Sequence, residues 1–502
     1  MQQECLRRSW GVEAEFLAQK WSRGSANTKW KVFLKVKINA ISLIFCRVGS
    51  DFLSLLLFVG ISRHFGPAGV GEFSYGFAIA TLVFVIASLG MDTYGVRHFL
   101  QLAPHERSAW MAELLGTQVV MSLISVAGLG GYLLLTGPTP AKLAVILALT
   151  TYQVLVALAR TMFIPAIARE RMVFPAIVDV MSRVVAVGVA IMAIAWSSAS
   201  VAVALLGFPV AGALFLIVAA ISAVRYGIKL RIRISRKALQ GIGRTLWAYA
   251  AAEVVAQIFM RLGLVILAIL AGEVATGLYA AGLKLLELSC VPLVYVGVAA
   301  YPRLVFLHET DMPLFRKLAN NLLWIMVLMS GGIGWGLYYV APEIIIPILG
   351  SKFAGTESIV RAMSAVAVLQ AVEAILWPML LAAGLQAERL VVIIIATLAS
   401  LVLNLALIPR FGVYGAIAAS LLSLMIVVVL FVAVLRRALV PQLLARPFLI
   451  LISGVAVAAS SAWLLRYQGI WVEAAISIAA FLAVVGLGYR RQRANEVMAV
   501  PG

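Results

Sequence analysis

Charge is scarce in this sequence: Asp, Glu, Lys and Arg make up 12% of its 502 residues. A soluble globular chain carries about twice that share, and mean hydropathy here is +1.04. Cysteine is scarcer still. Cys5, Cys46 and Cys290 are isolated and lack CxxC spacing, so they supply neither a disulfide framework nor a metal site. The four histidines, His64, His98, His105 and His308, are scattered and make no metal-ligand pattern. No GxxxxGK[ST] run is present, which excludes a recognisable P-loop ATPase. Nor does any segment interleave basic clusters with aromatics as a nucleic-acid-binding domain does, so the net charge of +19 needs another explanation. No cofactor, metal or nucleic acid is expected.

What the chain has instead is apolar length. About fourteen stretches are each close to the roughly 20 residues that a helix needs to cross a hydrocarbon layer. They fall at 38–62, 71–90, 109–135, 141–163, 172–196, 200–222, 246–270, 277–301, 320–342, 358–383, 390–409, 413–435, 447–465 and 470–488, here spans 1 to 14. They are too long and too uniformly apolar for barrel strands, which alternate over about ten residues. The expected fold is therefore an all-α polytopic membrane protein, and transport is the function class to consider first.

The basic residues are not spread evenly. Segment 1–37 reads as a basic cytoplasmic tail, without the apolar run of a cleavable signal peptide. The 223–245 linker holds Arg225, Lys229, Arg231, Arg233, Arg236, Lys237 and Arg244. With both termini cytoplasmic, about thirty basic residues lie inside and about five outside, a positive-inside pattern. The outward five are Arg63, Lys142, Lys352, Arg410 and Arg466. A cytoplasmic (inner) membrane location and attraction to anionic membrane lipids follow as expectations. No outward loop has the length of an external catalytic domain, which argues against a polymerase or ligase.

Two stretches 206 residues apart look alike: HFGPAGVGEFSYGFAIATLVF before span 2 and LAGEVATGLYAAGLKLLELSC before span 8. Gly66 and Gly71 in the first match Gly272 and Gly277 in the second, and Phe73 matches Tyr279. Both glycine pairs read as tight turns. An offset of six spans predicts two six-helix lobes, 38–222 and 246–435, related by a pseudo-two-fold axis along the membrane normal, with a helix pair at 447–488 and a tail at 489–502. Between spans 11 and 12, Pro409, Gly412 and Gly415 read as another very short turn.

Several of these segments together resemble the oligosaccharide-lipid flippases of the MOP exporter superfamily. They are SRHFGPAGVGEFSYG with ASLGMDTYGVRHF around span 2, LYAAGLKLLELSCVPLVYVGVAAYPRL at 278–304, ILGSKFAG at 348–355 and NLALIPRFGVYGAIAAS at 404–420. The run Lys284-Leu285-Leu286-Glu287-Leu288 is similar to an RLMEL-like sequence of the lipid II flippase branch, with lysine as its cation. The resemblance implies a non-enzymatic protein that moves an undecaprenyl-pyrophosphate-linked oligosaccharide to the outer leaflet, for O-antigen, capsule or exopolysaccharide assembly. It implies alternating access around a cavity lined by spans 1, 2, 7 and 8, with a polysaccharide polymerase and chain-length regulator as partners. The rival within the superfamily is a cation-coupled multidrug exporter.

Charges inside the spans are costly and mark candidate sites. Span 1 holds Arg47 and Asp51, span 5 Asp179 and Arg183, span 7 Glu253, Gln257 and Arg261, and span 8 Lys284 and Glu287. Arg47, Arg261 and Lys284 are the candidate pyrophosphate site, since guanidinium and ammonium groups suit phosphate oxygens. Asp51, Glu253 and Glu287 are candidates for ion coupling or charge pairing. The competing reading pairs each cation with a carboxylate on its own helix. Glu373 in span 10 has no partner within its helix, and tryptophans near span ends, Trp377 among them, read as interfacial anchors.

Overall fold

The computed structural model describes residues 26–196, 200–438, 441–465 and 470–498, and every regular element among them is a helix. Twelve described helices are long and apolar enough to cross a membrane. One of these, Phe45–Ser88, runs for 44 residues, which is about 66 Å of helix and twice a bilayer core. It is two crossings: the helical run Ala26–Ser88 breaks at Gly66, whose φ of 69° is open to glycine, and Pro67 starts span 2. The helix Pro441–Leu465 supplies span 13, of which Leu449–Ala458 is the apolar part. The fourteen spans and the all-α membrane fold therefore stand.

Spans 3 to 6 are the helices Arg107–Thr136, Pro140–Met162, Val173–Trp196 and Gly207–Arg225. Spans 7 and 8 are Arg236–Leu270 and Gly272–Thr310. Span 9, Met312–Trp335, continues through a π-turn at Gly336–Val340 into Ala341–Leu349. Spans 10, 11, 12 and 14 are Thr356–Ala382, Gln386–Phe411, Val413–Ala438 and Ile470–Met498. Several helices outrun their apolar windows. Span 1 is helical from Ala26 and span 7 from Arg236, so part of the 1–37 tail and part of the 223–245 linker are polar helical turns.

Two turn readings need correcting. Gly66 and Gly272 carry the positive φ, 69° and 81°, whereas Gly71 and Gly277 lie inside helices. Their role is close approach: a β-carbon on Gly71 would overlap the carbonyl oxygen of Glu273, and one on Gly277 that of Pro67. Pro67 and Glu273 are themselves related by the 206-residue offset, so the contact is reciprocal, as a pseudo-two-fold axis demands. Likewise helix Gln386–Phe411 runs through Pro409 and ends at Gly412, φ 55°. A proline that close to the helix end forfeits one hydrogen bond without displacing a following turn. Gly415 packs against the carbonyl of Leu407 from within span 12.

We call the end that carries the 1–2 and 7–8 turns the turn end, and the other, with the 223–245 linker, the loop end. One apolar cluster crosses between lobes, from Leu57, Val70 and Ile146 to Leu267, Ala281 and Val360, and its second-lobe members all lie in the turn-end halves of their spans. Towards the loop end the core divides. The first lobe keeps a small cluster around Met91, Phe99 and Met111, and the second keeps its own around Leu293, Phe315 and Met379. The lobes thus join at the turn end and part towards the loop end.

Spans 13 and 14 pack on span 9. Trp335 Nε1 donates to the Ala474 carbonyl at 2.9 Å, Tyr339 donates to Glu473 Oε1 at 2.9 Å, and Phe481 fills the space beside Gly331.

Gly277→Val should push spans 2 and 8 apart at the turn end. Nitroxide labels on Ala68→Cys and Val274→Cys should then report a longer distance by pulsed electron resonance than in the glycine protein. An unchanged distance would show that the contact does not hold the lobes.

Candidate functional site

Spans 1 and 2 meet spans 7 and 8 along the seam between lobes. Arg261 of span 7 reaches across that seam. Its Nη1 lies 3.5 Å from Glu287 Oε1 of span 8, and its guanidinium carbon 5.9 Å from the centre of the Phe77 ring of span 2. Three elements therefore fix one side chain through an ion pair and a cation–π contact. The Nε of Arg261 is nevertheless buried without a hydrogen-bond partner. Lys284 sits one turn before Glu287 on the same helix face. It makes no ion pair or hydrogen bond to any described residue.

Among the described residues, the seam around Arg261 accordingly holds two cations, Arg261 and Lys284, against one carboxylate, Glu287, with N–H donors left over. An ion with several oxygens is the ligand best matched to such a group, and a site less polar than water strengthens the attraction. The reading in which each cation pairs on its own helix holds for Arg47 and Arg183 and is corrected for Arg261 and Lys284. Arg261 turns to Glu287 of the neighbouring helix, and Lys284 does not pair with Glu287. An i, i+3 spacing places two side chains near each other, but a better-placed guanidinium has taken the carboxylate.

The other candidates lie elsewhere. Arg47 Nε is 3.4 Å from Asp51 Oδ2 on span 1, and the Arg47 side chain is 65% exposed. On span 5, Arg183 Nε is 3.1 Å from Asp179 Oδ2. Ser50 donates to Asp179 at 3.5 Å and Arg183 Nη1 to Ser54 at 3.4 Å, which ties span 1 to span 5. This group has equal numbers of cations and carboxylates, so it holds helices together without an unspent charge. Glu253 accepts from Gln257 Nε2 of its own helix at 3.1 Å. The structure joins Arg261 to Glu287 with Lys284 one turn away on the same helix, sets Arg47 and Asp51 on the face of span 1 that meets span 5, and leaves Glu253 bonded within span 7.

At the turn end, polar ties that no sequence spacing indicated join the lobes. Lys142 Nζ of span 4 is 2.9 Å from Glu273 Oε1 of span 8. Arg63 donates from Nε to the Ile348 carbonyl at 2.9 Å and from Nη2 to that of Pro347 at 2.6 Å. These ties surround the reciprocal glycine contact, so the seam site is shut from the turn end.

Comparison with known proteins bears on this arrangement. A profile of the family described as "Polysaccharide biosynthesis protein" matches residues 36–308. No curated protein matches the chain significantly. Among solved structures, the lipid II flippase MurJ in an inward closed conformation has a TM-score of 0.71 at 14% identity, covering 90% of this chain and 99% of that one. An inward-facing multidrug resistance MATE family transporter of the MOP superfamily has a TM-score of 0.55 at 12% identity, covering 78% and 95%. A MOP superfamily transporter from Pyrococcus furiosus has a TM-score of 0.51 at 14% identity, covering 80% and 95%. At such identities the likeness establishes the fold.

The contrast between paired and unpaired cations can be measured. Arg183→Leu strands the Asp179 carboxylate and should lower stability to chemical unfolding by about 3 kcal/mol. Lys284→Met breaks no ion pair or hydrogen bond among the described residues and should stay within about 0.5 kcal/mol of the parent. Equal losses would contradict the assignment of Lys284 as a cation free for ligand.

Proposed function

The chain belongs to the polysaccharide biosynthesis protein family, and from that premise we propose that it is a flippase. Its cargo would be an undecaprenyl-pyrophosphate-linked oligosaccharide, moved from the cytoplasmic to the outer leaflet for O-antigen, capsule or exopolysaccharide assembly. The observation that carries this reading is the positive seam between the lobes, where Arg261 and Lys284 leave N–H donors unused. Pyrophosphate offers those donors several oxygens on a compact, doubly anionic group.

The positive-inside pattern supports a reading in which the loop end, both termini and the 223–245 linker face the cytoplasm and the protein sits in the inner membrane. The lobes then part toward the side where the substrate is made and close toward the side of release. Glu287 has a role in the cycle as a resident counter-ion. With the cavity empty, its pairing with Arg261 lowers the cost of leaving a guanidinium in a low-dielectric site. An arriving pyrophosphate competes for that guanidinium, so the loaded and empty states differ in the bonds that hold spans 7 and 8. That difference in binding free energy is what allows cargo to bias an inward–outward equilibrium. Arg47, exposed on span 1, is a further pyrophosphate contact on the approach, and Asp51 its local counter-charge. A polymerase and a chain-length regulator would receive the product on the outer face.

The fold likeness to a multidrug transporter supports a second reading, export of cationic drugs. The seam speaks against it, because two cations facing one carboxylate repel a cationic cargo.

The test is a gene deletion followed by mass spectrometry of undecaprenyl-linked lipids, with complementation by the parent, Arg261→Ala and Lys284→Ala. The glycan-bearing pyrophosphate should accumulate on deletion and clear with the parent gene. It should persist with either variant, although both insert in the membrane. An unchanged lipid profile, with altered sensitivity to cationic drugs, would favour the exporter.

A further inference from the structure

Spans 8, 10 and 11 enclose a partly open cavity of about 170 Å³ in the loop-end half of the second lobe. A single water needs only about 10–15 Å³ by the same kind of measure, so the space is sized for a larger group. Cys290 and Val294 of span 8 form an apolar wall, while Gln370, Glu373 and Trp377 of span 10 and Arg389 of span 11 supply polar groups. The Arg389 guanidinium carbon lies 5.4 Å from the Trp377 ring centre. The Arg389 Nε and the Trp377 Nε1 are both buried without a hydrogen-bond partner. Buried donors of this kind are rare in native structures, and a bound acceptor relieves the desolvation they carry.

The chemistry of that acceptor follows from the charges around it. Among the lining residues one carboxylate, Glu373, is set against one guanidinium, Arg389, so the cavity is balanced in charge. A phosphate would find no surplus of positive charge here, unlike at Arg261 and Lys284. A polyhydroxylated ring fits instead. Its hydroxyl oxygens accept from Arg389, Trp377 and Gln370, its hydroxyl hydrogens go to Glu373, and its C–H face meets the apolar wall. The cavity wall on span 8 runs from Cys290 to Val294, three to seven residues beyond Glu287 and so roughly 5–10 Å further toward the loop end. One molecule can therefore place a pyrophosphate at the seam and a sugar in this cavity.

We infer that the cavity between spans 8, 10 and 11 binds one glycosyl residue of the cargo and contributes to the choice of glycan. The inference rests on the flippase reading, and the test keeps the two apart. The full-length protein in lipid nanodiscs is titrated with two probes. One is the glycan-bearing undecaprenyl pyrophosphate accumulated by the deletion strain, and the other is undecaprenyl pyrophosphate alone. The parent should bind the glycan-bearing lipid about tenfold more tightly, the scale of one hydrogen bond to a charged group. Gln370→Leu and Trp377→Phe, the latter retaining an aromatic ring, should each lose about that factor on the glycan-bearing lipid and keep the parent's affinity for the bare carrier. Variants that retain the glycan preference, or lose affinity equally for both lipids, would overturn the sugar site and leave the flippase standing. A parent that binds neither lipid would remove both.

Discussion

At Gly71 and Gly277 the backbones of spans 2 and 8 approach so closely that neither position has room for a β-carbon. The contact is made twice, once by each half of the repeat, with Pro67 and Glu273 as the reciprocal partners. Around it gather the Lys142–Glu273 ion pair and the bonds from Arg63 to the end of span 9. Because the lobes are pinned there, and because the shared apolar core stops in the turn-end half of the second lobe, the packed core divides into separate clusters towards the loop end. The seam contacts of Arg261 with Glu287 and Phe77 lie in the half of the spans that this pinning holds together. Two glycines with ordinary helical φ thus matter as much as the positive-φ pair that starts spans 2 and 8.

Charge inside a hydrocarbon layer must be paired, solvated or used. The described spans show each case. Asp179 and Arg183, with Ser50 and Ser54, form a closed group that joins spans 1 and 5. Arg261 is half committed, to Glu287 and Phe77, with one donor idle. Lys284 makes no ion pair or hydrogen bond among the described residues. In the second lobe Glu373 and Arg389 line one cavity, one carboxylate to one guanidinium. An anion-accepting seam and a charge-balanced polar cavity lie roughly 5–10 Å apart along one helix, which suits a cargo that is charged at one point and hydroxylated beside it.

The spans were legible because continuous hydropathy requires no knowledge of neighbours. The Gly66 break was legible for a similarly local reason, and the 206-residue repeat gave the lobes their pairing. The role of Gly71 and Gly277 was harder to read, since a glycine in a turn and a glycine under a neighbouring backbone look alike in a sequence. Arg261 stood out as a buried cation, yet its pairing with Glu287 and its contact with Phe77 join three helices, and no spacing encodes them. Lys284 and Glu287 show the limit most plainly: their i, i+3 spacing predicts a contact that an arginine from another helix displaces. Trp377 read as an interfacial anchor, whereas it stacks with Arg389 and lines a cavity. The cavity between spans 8, 10 and 11 left no mark in the sequence, because its polar groups come from separate spans.

Central to this account is that the protein itself carries a glycan-linked lipid across a bilayer. The direct measurement reconstitutes the purified chain into sealed vesicles that hold the glycan-bearing undecaprenyl pyrophosphate, then follows exposure of the glycan with a membrane-impermeant sugar-oxidising reagent. In protein-free vesicles only the outer-leaflet fraction should react, and with the protein the inner-leaflet fraction should become reactive as well. Vesicles containing folded protein that protect the inner leaflet as fully as protein-free ones would contradict the account.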